Sequence, residues 1–248
     1  MSKISRKVNI MLFALMALLC GMGYSVTAQA ALYDRGNGMI YDDVLKITWL
    51  QDANYAVTSG ATTSIMTHAE ANTWATNLNY KGITGWRLPS AVPVNGTSFS
   101  STTANDGSAD NGYNITRPNC ELSYMYYVNL GLIGRFTTAG VSLTKYGLNG
   151  LGTQFSQPAT TDVGLIKNLR CNPGTTYWYS ESIAGGNAMS FSFRSGNESF
   201  IGEVSSGIAW AVHDGDVGAA PVPIPAAAWL LGSGLMGLIG ARRRFFRA

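Results

Sequence analysis

The chain has 248 residues, and its formal net charge of +3 comes from 17 Lys and Arg against 14 Asp and Glu. Seven of the basic residues lie in the two ends, so residues 31–220 carry ten basic against 14 acidic residues, a net charge of −4. An acidic central region excludes electrostatic binding to nucleic acid, and the basic ends are interpreted as signals of membrane topology.

The first 30 residues have the composition of a secretory signal peptide. Basic residues precede an apolar run, and the small residues of AQA close the segment. This order predicts export and cleavage by signal peptidase after Ala30. Cys20 would suit a lipoprotein instead, but Leu19 stands before it, where a lipid-attachment site has a small residue.

Short strands are predicted at the start of the exported domain. Asn37-Gly38 separates two short apolar runs, a dipeptide typical of tight hairpin turns, and KITWL at residues 46–50 predicts a further strand. The central region is rich in Gly, Ser, Thr and Asn between brief apolar runs. Such a composition indicates a loop-rich domain of short strands.

A helix is predicted after Thr67. Thr67 and Glu70 have the T-x-x-E spacing of a capping box, and apolar residues follow on one helical face before Gly82. His68 falls in the first turn of this helix, where a solvated surface position is expected rather than a metal ligand.

Residues 95–117 have hardly any large apolar side chains and are predicted to form a long loop. Asp106 and Asp110 lie within it at a spacing that resembles part of a calcium loop. The glycine is displaced, and Arg117 occupies the position where a bidentate Glu is needed. A hydrated loop is therefore favoured, a calcium site is the weaker alternative, and no cofactor is expected.

A second helix is predicted to begin at Asn119, which can cap it. Two cysteines, Cys120 and Cys171, remain after removal of the signal peptide. Export favours oxidation, so a disulfide between Cys120 and Cys171 is predicted. A thiol-protease site that joins Cys120 to His213 and Asp214 is the weaker alternative, because an exported pair of cysteines is more simply a disulfide.

Two later segments are predicted to be strands. Met189, Phe191 and Phe193 alternate with polar residues, as in a strand with one solvated face, and the apolar residues of segment 208–212 also share one face. Helices followed by strands in one unit predict a single α+β domain over residues 31–218, which could belong with the C-type-lectin-like folds.

Aromatic side chains are the candidate binding groups. Sugar rings stack on aromatic faces, and Tyr126, Tyr177, Trp178 and Tyr179 are candidates for such glycan stacking. Core packing is the alternative, since at least half of the aromatic side chains must point inward.

The C-terminal segment is predicted to cross a membrane once. Residues 219–225 form a linker rich in Pro, Gly and Ala, residues 226–241 an uncharged transmembrane helix and residues 242–248 a basic tail. By the positive-inside rule, the arginines hold the C terminus in the cytoplasm and the domain outside.

The tail reads VPIPAAAWLLGSGLMGLIGARRR at residues 222–244. It resembles the PEP-CTERM sorting signal of exopolysaccharide-producing Gram-negative bacteria, although Ile224 stands where the namesake has Glu. The resemblance implies recognition and cleavage by an exosortase. The matching residues are Val222, Pro223, Pro225, Trp229, Gly232, Gly234, Gly237, Arg242, Arg243 and Arg244.

The central domain contains the motifs GMIYDDVLKITWLQDANYA, GITGWRLPS and YWYSES. Over residues 38–218 it resembles the C-terminal domain of a collagen-like bacterial adhesin, Lcl. The most characteristic block is Trp86, Arg87, Leu88 and Pro89. The resemblance implies binding of sulfated polysaccharide and a homo-oligomer, whereas the net negative charge of the region argues against a sulfate-binding surface.

The sequence as a whole predicts an exported, non-catalytic surface or matrix protein that binds polysaccharide and supports a biofilm or floc. The alternatives are an enzyme that acts on exopolysaccharide and a purely structural matrix protein. The precursor is expected in the inner membrane and the product at the cell surface or in the extracellular matrix. Signal peptidase, an exosortase and exopolysaccharide are the expected partners.

Overall fold

The computed structural model describes residues 31–62, 65–147 and 160–218. Within these residues the chain forms two five-stranded sheets, a two-stranded hairpin, three α-helices and one π-helical segment. The α+β class is confirmed in its coarse form, as a mostly β domain with few helices. None of the described helices has the length and hydropathy to span a bilayer. The predicted signal peptide, linker, transmembrane helix and basic tail lie outside the described residues.

The first sheet brings both ends of the domain together. Its strands are β1 Leu32–Gly36, β2 Met39–Asp42, β3 Ile47–Leu50, β4 Trp86–Arg87 and β12 Val212–Asp214. They are antiparallel and lie in the order β1-β2-β3-β12-β4. Because β12 pairs with both β3 and β4, the first and the last strands of the domain belong to the same sheet.

The second sheet is built from the later part of the chain. Its strands are β5 Thr103–Ala104, β6 Asn111–Gly112, β9 Tyr177–Ile183, β10 Asn187–Ser192 and β11 Asn197–Gly202. They lie in the order β5-β6-β11-β10-β9, and only β5 and β6 run parallel within it. A separate hairpin pairs β7 Thr160–Val163 with β8 Ile166–Arg170.

The predicted turn at Asn37-Gly38 is confirmed and joins β1 to β2. The two residues have φ angles of 56° and 80°, the left-handed region that a two-residue hairpin turn requires. A Cβ at Gly38 would also overlap the hydroxyl of Tyr80. Both the backbone and the packing therefore require glycine at this position.

The helices are α1 Tyr55–Thr58, α2 His68–Asn77 and α3 Glu121–Tyr124. The capping box is confirmed, since Thr67 Oγ1 accepts from the Glu70 amide and the Glu70 carboxylate accepts from the Thr67 amide. The second predicted helix differs in detail. It begins after Cys120 rather than Asn119, and it continues as the π-helical segment Met125–Asn129.

Aromatic side chains form the core between the two sheets. Trp210, just before β12, packs with its ring centroid 4.6 Å from Trp49 of the first sheet. The same ring lies 5.9 Å from Tyr177 of the second sheet and 5.8 Å from Phe193. Burial of one large apolar side chain stabilises the fold by about 1.5–3 kcal/mol. This aromatic cluster is therefore a main contributor to the packing of the two sheets.

The middle of strand β10 is buried on both faces, contrary to the prediction. Met189 and Phe191 pack into the aromatic core, and the opposite face, which carries Ser190, lies against helix α2. The hydroxyl of Ser190 donates to Ser199 O at 3.0 Å, which satisfies a polar group that the alternation placed in water. Segment 208–212 is likewise buried throughout, and only its last residue belongs to β12.

Candidate functional site

The GWRLP block is a structural junction. Trp86 and Leu88 are buried, and Pro89 O accepts a hydrogen bond from Ser180 N of β9 at 2.8 Å. Gly85 has a φ of 88°, and a Cβ there would lie 3.2 Å from the His213 ring. The block therefore fastens β4 to β9 and β12, and its apolar members present no binding surface.

Arg87 of this block is held by two carboxylates. It donates two hydrogen bonds of 2.8 Å to Glu121 and two, of 2.7 and 3.0 Å, to Asp214. Burial on its own lowers the pKa of Arg87, but the hydrogen bonds and charge of Glu121, with those of Asp214, outweigh burial and raise it. Arg87 is thus an internal clamp, since its hydrogen-bonding donors are directed at the protein itself.

The four residues predicted to stack on glycans are all in the core. Tyr126, Tyr177, Trp178 and Tyr179 have at most 1% of their surface exposed. Their polar atoms are also used internally; for example, Trp178 Nε1 donates to Met66 O at 2.9 Å. A stacking platform needs an accessible ring face, so this prediction is wrong for these four residues.

The predicted disulfide is not formed. Cys120 and Cys171 are both buried and remain as separate thiols. Cys120 Sγ lies 3.0 Å from Arg117 Nε, which donates to it. Burial raises the pKa of Cys120 to about 12 and also raises that of Cys171. The sequence does not show how far apart the two thiols lie in the folded domain. Export favours a disulfide only where the two thiols are adjacent.

The thiol-protease alternative also lacks its geometry. Both ring nitrogens of His213 lie against backbone carbonyls, Nδ1 at 2.6 Å from Asp214 O and Nε2 at 2.9 Å from Thr84 O. Among the described residues, no hydrogen bond joins Cys120 to a histidine that could take its proton. The expectation for His68 is wrong as well, because His68 is buried with Nε2 at 2.9 Å from Tyr179 O.

The weak calcium candidates are engaged by protein donors. Asp110 is buried and accepts from Val94 N at 2.7 Å, Ser100 N at 3.0 Å and Arg117 Nη2 at 3.1 Å. Asp106 instead accepts from Ser108, its neighbour in the loop. The part of the chain that the structure describes contains no group of three metal-ligating side chains. Asp106 and Asp110 therefore organise the predicted loop, which contains only the two-residue strands β5 and β6.

A buried carboxyl group that the sequence did not reveal lies on β11. Glu198 is fully buried, and its Oε2 accepts from the hydroxyls of Ser123 and Tyr179. Within the described residues, Glu198 Oε1 has no hydrogen-bond partner. Burial raises the pKa of Glu198 to about 7, against the opposing effect of Ser123 and Tyr179. The group is enclosed, so it bears on stability rather than on contact with a ligand.

A polar cavity opens beside the turn between β10 and β11. We call it the arginine cavity; its volume is about 330 Å³. It is lined by residues from five separate segments, and none of the described residues that line it is Asp or Glu. The lining residues are Tyr113, Arg135, Tyr146, Gly174, Thr176, Ser192, Arg194, Ser195, Asn197 and Ser199.

The walls of the arginine cavity are fixed by local contacts. Arg135 N donates to Ser195 O at 2.8 Å, which ties one wall to the β10–β11 turn. The Tyr113 ring packs on Phe136 at 5.0 Å, and the Arg135 guanidinium lies 5.6 Å from the same Phe136 ring. Burial raises the pKa of Tyr113, so its phenol stays protonated at neutral pH. The cavity thus combines two guanidinium groups with neutral hydroxyl and amide groups.

A second, more open groove follows helix α2. We call it the α2 groove; its volume is about 580 Å³. Trp74 and Leu78 supply its apolar wall, and Trp74 is only partly buried. Glu70, which also lines it, is already used by the capping box. The remaining lining residues are Ala61, Ala69, Thr73, Asn77 and Asn79.

Comparison of the chain with protein-family models, with curated proteins and with solved structures gave no significant match. The residues that set the character of the arginine cavity, Tyr113, Arg135 and Arg194, were not singled out from the sequence. The segment FRSGNES at residues 193–199 carried the only local signal, an arginine among hydroxyl and amide residues.

Proposed function

We propose that the chain is an exported surface or matrix protein that binds acidic polysaccharide without chemical turnover, and that the arginine cavity is its binding site. One observation carries this proposal. In a central region of net charge −4, a concave polar surface is lined by Arg135 and Arg194 and, among its described lining residues, by no carboxylate. A local positive field in an acidic domain selects for anionic ligands.

The chemistry of the lining suits a charged sugar. Guanidinium groups bind carboxylate and sulfate oxygens through paired, charge-assisted hydrogen bonds. Serine, threonine and asparagine side chains around them can exchange hydrogen bonds with sugar hydroxyls, and the rings of Tyr113 and Tyr146 offer apolar contact. A uronic-acid or sulfated residue of a polysaccharide combines the same three features.

The proposed location follows from the two ends of the sequence. A signal peptide and a tail that resembles an exosortase substrate support export and sorting to the surface or matrix of a Gram-negative cell. At the cell surface or in the matrix, exopolysaccharide is available to the domain as a ligand. Homo-oligomerisation would place several arginine cavities on one chain of polysaccharide and raise its avidity.

A glycan array tests the ligand class. We expect the purified protein to bind uronic-acid or sulfated oligosaccharides more strongly than neutral ones, and to leave their chain lengths unchanged. Binding should fall with added salt, because charged contacts are screened. Binding to neutral glycans alone would favour the α2 groove and Trp74 instead. Shortened oligosaccharides would favour an enzyme that acts on exopolysaccharide. The absence of binding to every glycan would favour a purely structural matrix protein.

Variants of the two arginines test whether polysaccharide binds in the arginine cavity. Arg135→Gln and Arg194→Gln each remove one charge from it, whereas Lys81→Gln removes an exposed charge that belongs to neither cavity nor groove. We expect about a tenfold loss of affinity for each arginine variant, the size of one charge-assisted hydrogen bond. The lysine variant should bind like the unmodified protein.

A further inference from the structure

The first described residue is held at two points by one aspartate. The backbone N of Ala31 donates to Asp43 Oδ1 at 3.0 Å. In return, the backbone N of Asp43 donates to Ala31 O at 3.4 Å. Asp43 directly follows β2, in the turn that leads to β3, and both residues are partly buried. The nitrogen that signal peptidase is predicted to release therefore already lies against a carboxylate.

Cleavage would change the chemistry of this contact. Hydrolysis of the Ala30–Ala31 bond adds one water molecule. The Ala30 carbonyl carbon gains the oxygen and leaves as a carboxylate, and the Ala31 nitrogen gains the protons and becomes an ammonium group. A single neutral N–H donor thus becomes a charged group with three donors, 3.0 Å from a carboxylate oxygen.

We infer that Asp43 is the binding site of the α-ammonium group of Ala31, so that signal-peptide cleavage itself creates an ion pair that fastens the start of β1. This inference rests on the proposed export of the chain. The ion pair makes the cleaved domain more stable than the precursor, because β1 lies at the edge of its sheet and, among the described strands, pairs only with β2. The partial burial of both residues makes the pair stronger than a fully exposed one.

The same strand is fastened at its other end. Arg35 donates to both oxygens of Asp216, at 3.0 and 2.6 Å, and so joins β1 to the C-terminal end of the domain. The last described residues, which end at Gly218 next to the Arg35 side chain, therefore lie beside β1. Strand β1 is thus held by an aspartate at each of its two ends.

A thermodynamic cycle on the chain from Ala31 to Ala248, purified in detergent, tests the pair. Three forms are compared: a free amine at Ala31, an acetylated amine, and an extension by Ala30 that moves the charge one residue away. Each form is made with Asp43 and with Asp43→Asn. We expect the free-amine form to melt about 2–4 °C higher than the other two when Asp43 is present, and no difference when it is absent.

The pH dependence has a defined sign. An ammonium group with a carboxylate partner has a raised pKa, so the advantage of the free amine is present below about pH 8 and lost as pH rises above the folded-state value. The titratable groups that face Asp43 are Tyr33, whose hydroxyl lies 3.5 Å from Oδ2, the neighbouring Asp42, and Tyr124. Glu203→Gln, in place of Asp43→Asn, should leave the advantage intact.

The mass of the protein that cells export distinguishes failure of the ion pair between Ala31 and Asp43 from failure of the proposed export. A chain that begins at Ala31, with equal melting temperatures for the free and acetylated forms, overturns the ion pair and leaves export standing. Cleavage at another bond overturns the ion pair in the natural protein. A chain that retains residues 1–30 overturns the proposed export itself.

Discussion

The guanidinium of Arg87 and the carboxylate of Glu121 face each other through two parallel hydrogen bonds, Nη1 to Oε2 and Nη2 to Oε1, each 2.8 Å long. Glu121 Oε2 also accepts from the backbone N of Ser90 at 2.7 Å. The pair joins the GWRLP block to helix α3, two segments that are remote in sequence. Lysine cannot reproduce this paired geometry, which explains why an arginine suits the centre of the block.

Removing the carboxylate of this pair should destabilise the fold. Glu121→Ala leaves Arg87 and the Ser90 amide without a major acceptor, and we expect a loss of about 2–3 kcal/mol in the free energy of unfolding. Urea denaturation measures it. Lys167→Gln breaks the exposed pair with Asp162 and should cost less than about 1 kcal/mol. Equal losses in the two variants would contradict the clamp.

Glu198 should make stability depend on pH. Its folded-state pKa is raised to about 7, mainly by burial, so the folded chain holds a proton that the unfolded chain releases above about pH 4.5. Stability therefore falls as pH rises from about 4.5 to 7. We expect Glu198→Gln to reduce this fall by about 2–3 kcal/mol in unfolding free energy measured at pH 5 and pH 7.5. Glu203→Gln is the control, and an unchanged fall in the Glu198 variant refutes this explanation.

The two cysteines should behave as buried thiols. Because Cys120 and Cys171 are buried and burial raises both pKa values, a thiol reagent should label neither in the folded protein at neutral pH. After unfolding without reductant, two thiols per domain should react. Resistance of the unfolded chain to labelling until a reductant is added would show a disulfide instead.

The hairpin turn offers a matched pair of glycine variants. Gly36 and Gly38 have φ angles of 71° and 80°, but only at Gly38 would a Cβ overlap the Tyr80 hydroxyl. Both changes to alanine strain the backbone by a similar amount. We expect Gly38→Ala to cost about 1–2 kcal/mol more than Gly36→Ala in chemical denaturation, because it adds overpacking to that strain. A smaller cost at Gly38 than at Gly36 would contradict the packing of Tyr80.

Sequence patterns predicted the elements whose causes are local. The Asn37-Gly38 turn and the Thr67–Glu70 capping box each depend on residues within three positions of one another. Those patterns remained valid in the folded domain because the surrounding structure uses the same backbone conformations. Composition also gave the coarse class, a loop-rich domain of short strands with few helices.

Features that depend on distant segments could not be predicted in the same way. Alternation in β10 indicated a solvated face, but helix α2 packs against the face of the sheet that carries Ala188 and Ser190. Trp178 is buried against the same helix, whereas Tyr177 is buried in the aromatic core between the sheets. The arginine cavity combines Arg135 with Arg194 only after the β10–β11 turn has docked on the segment around residue 135.

Calorimetric titration with a uronic-acid oligosaccharide tests the central claim most directly. The unmodified protein and the double variant Arg135→Gln with Arg194→Gln are titrated at low and physiological salt, after equal melting temperatures show that both are folded. We predict binding that weakens with salt and falls at least about tenfold in the double variant. Unchanged affinity in the double variant would contradict the assignment of the arginine cavity as the polysaccharide site.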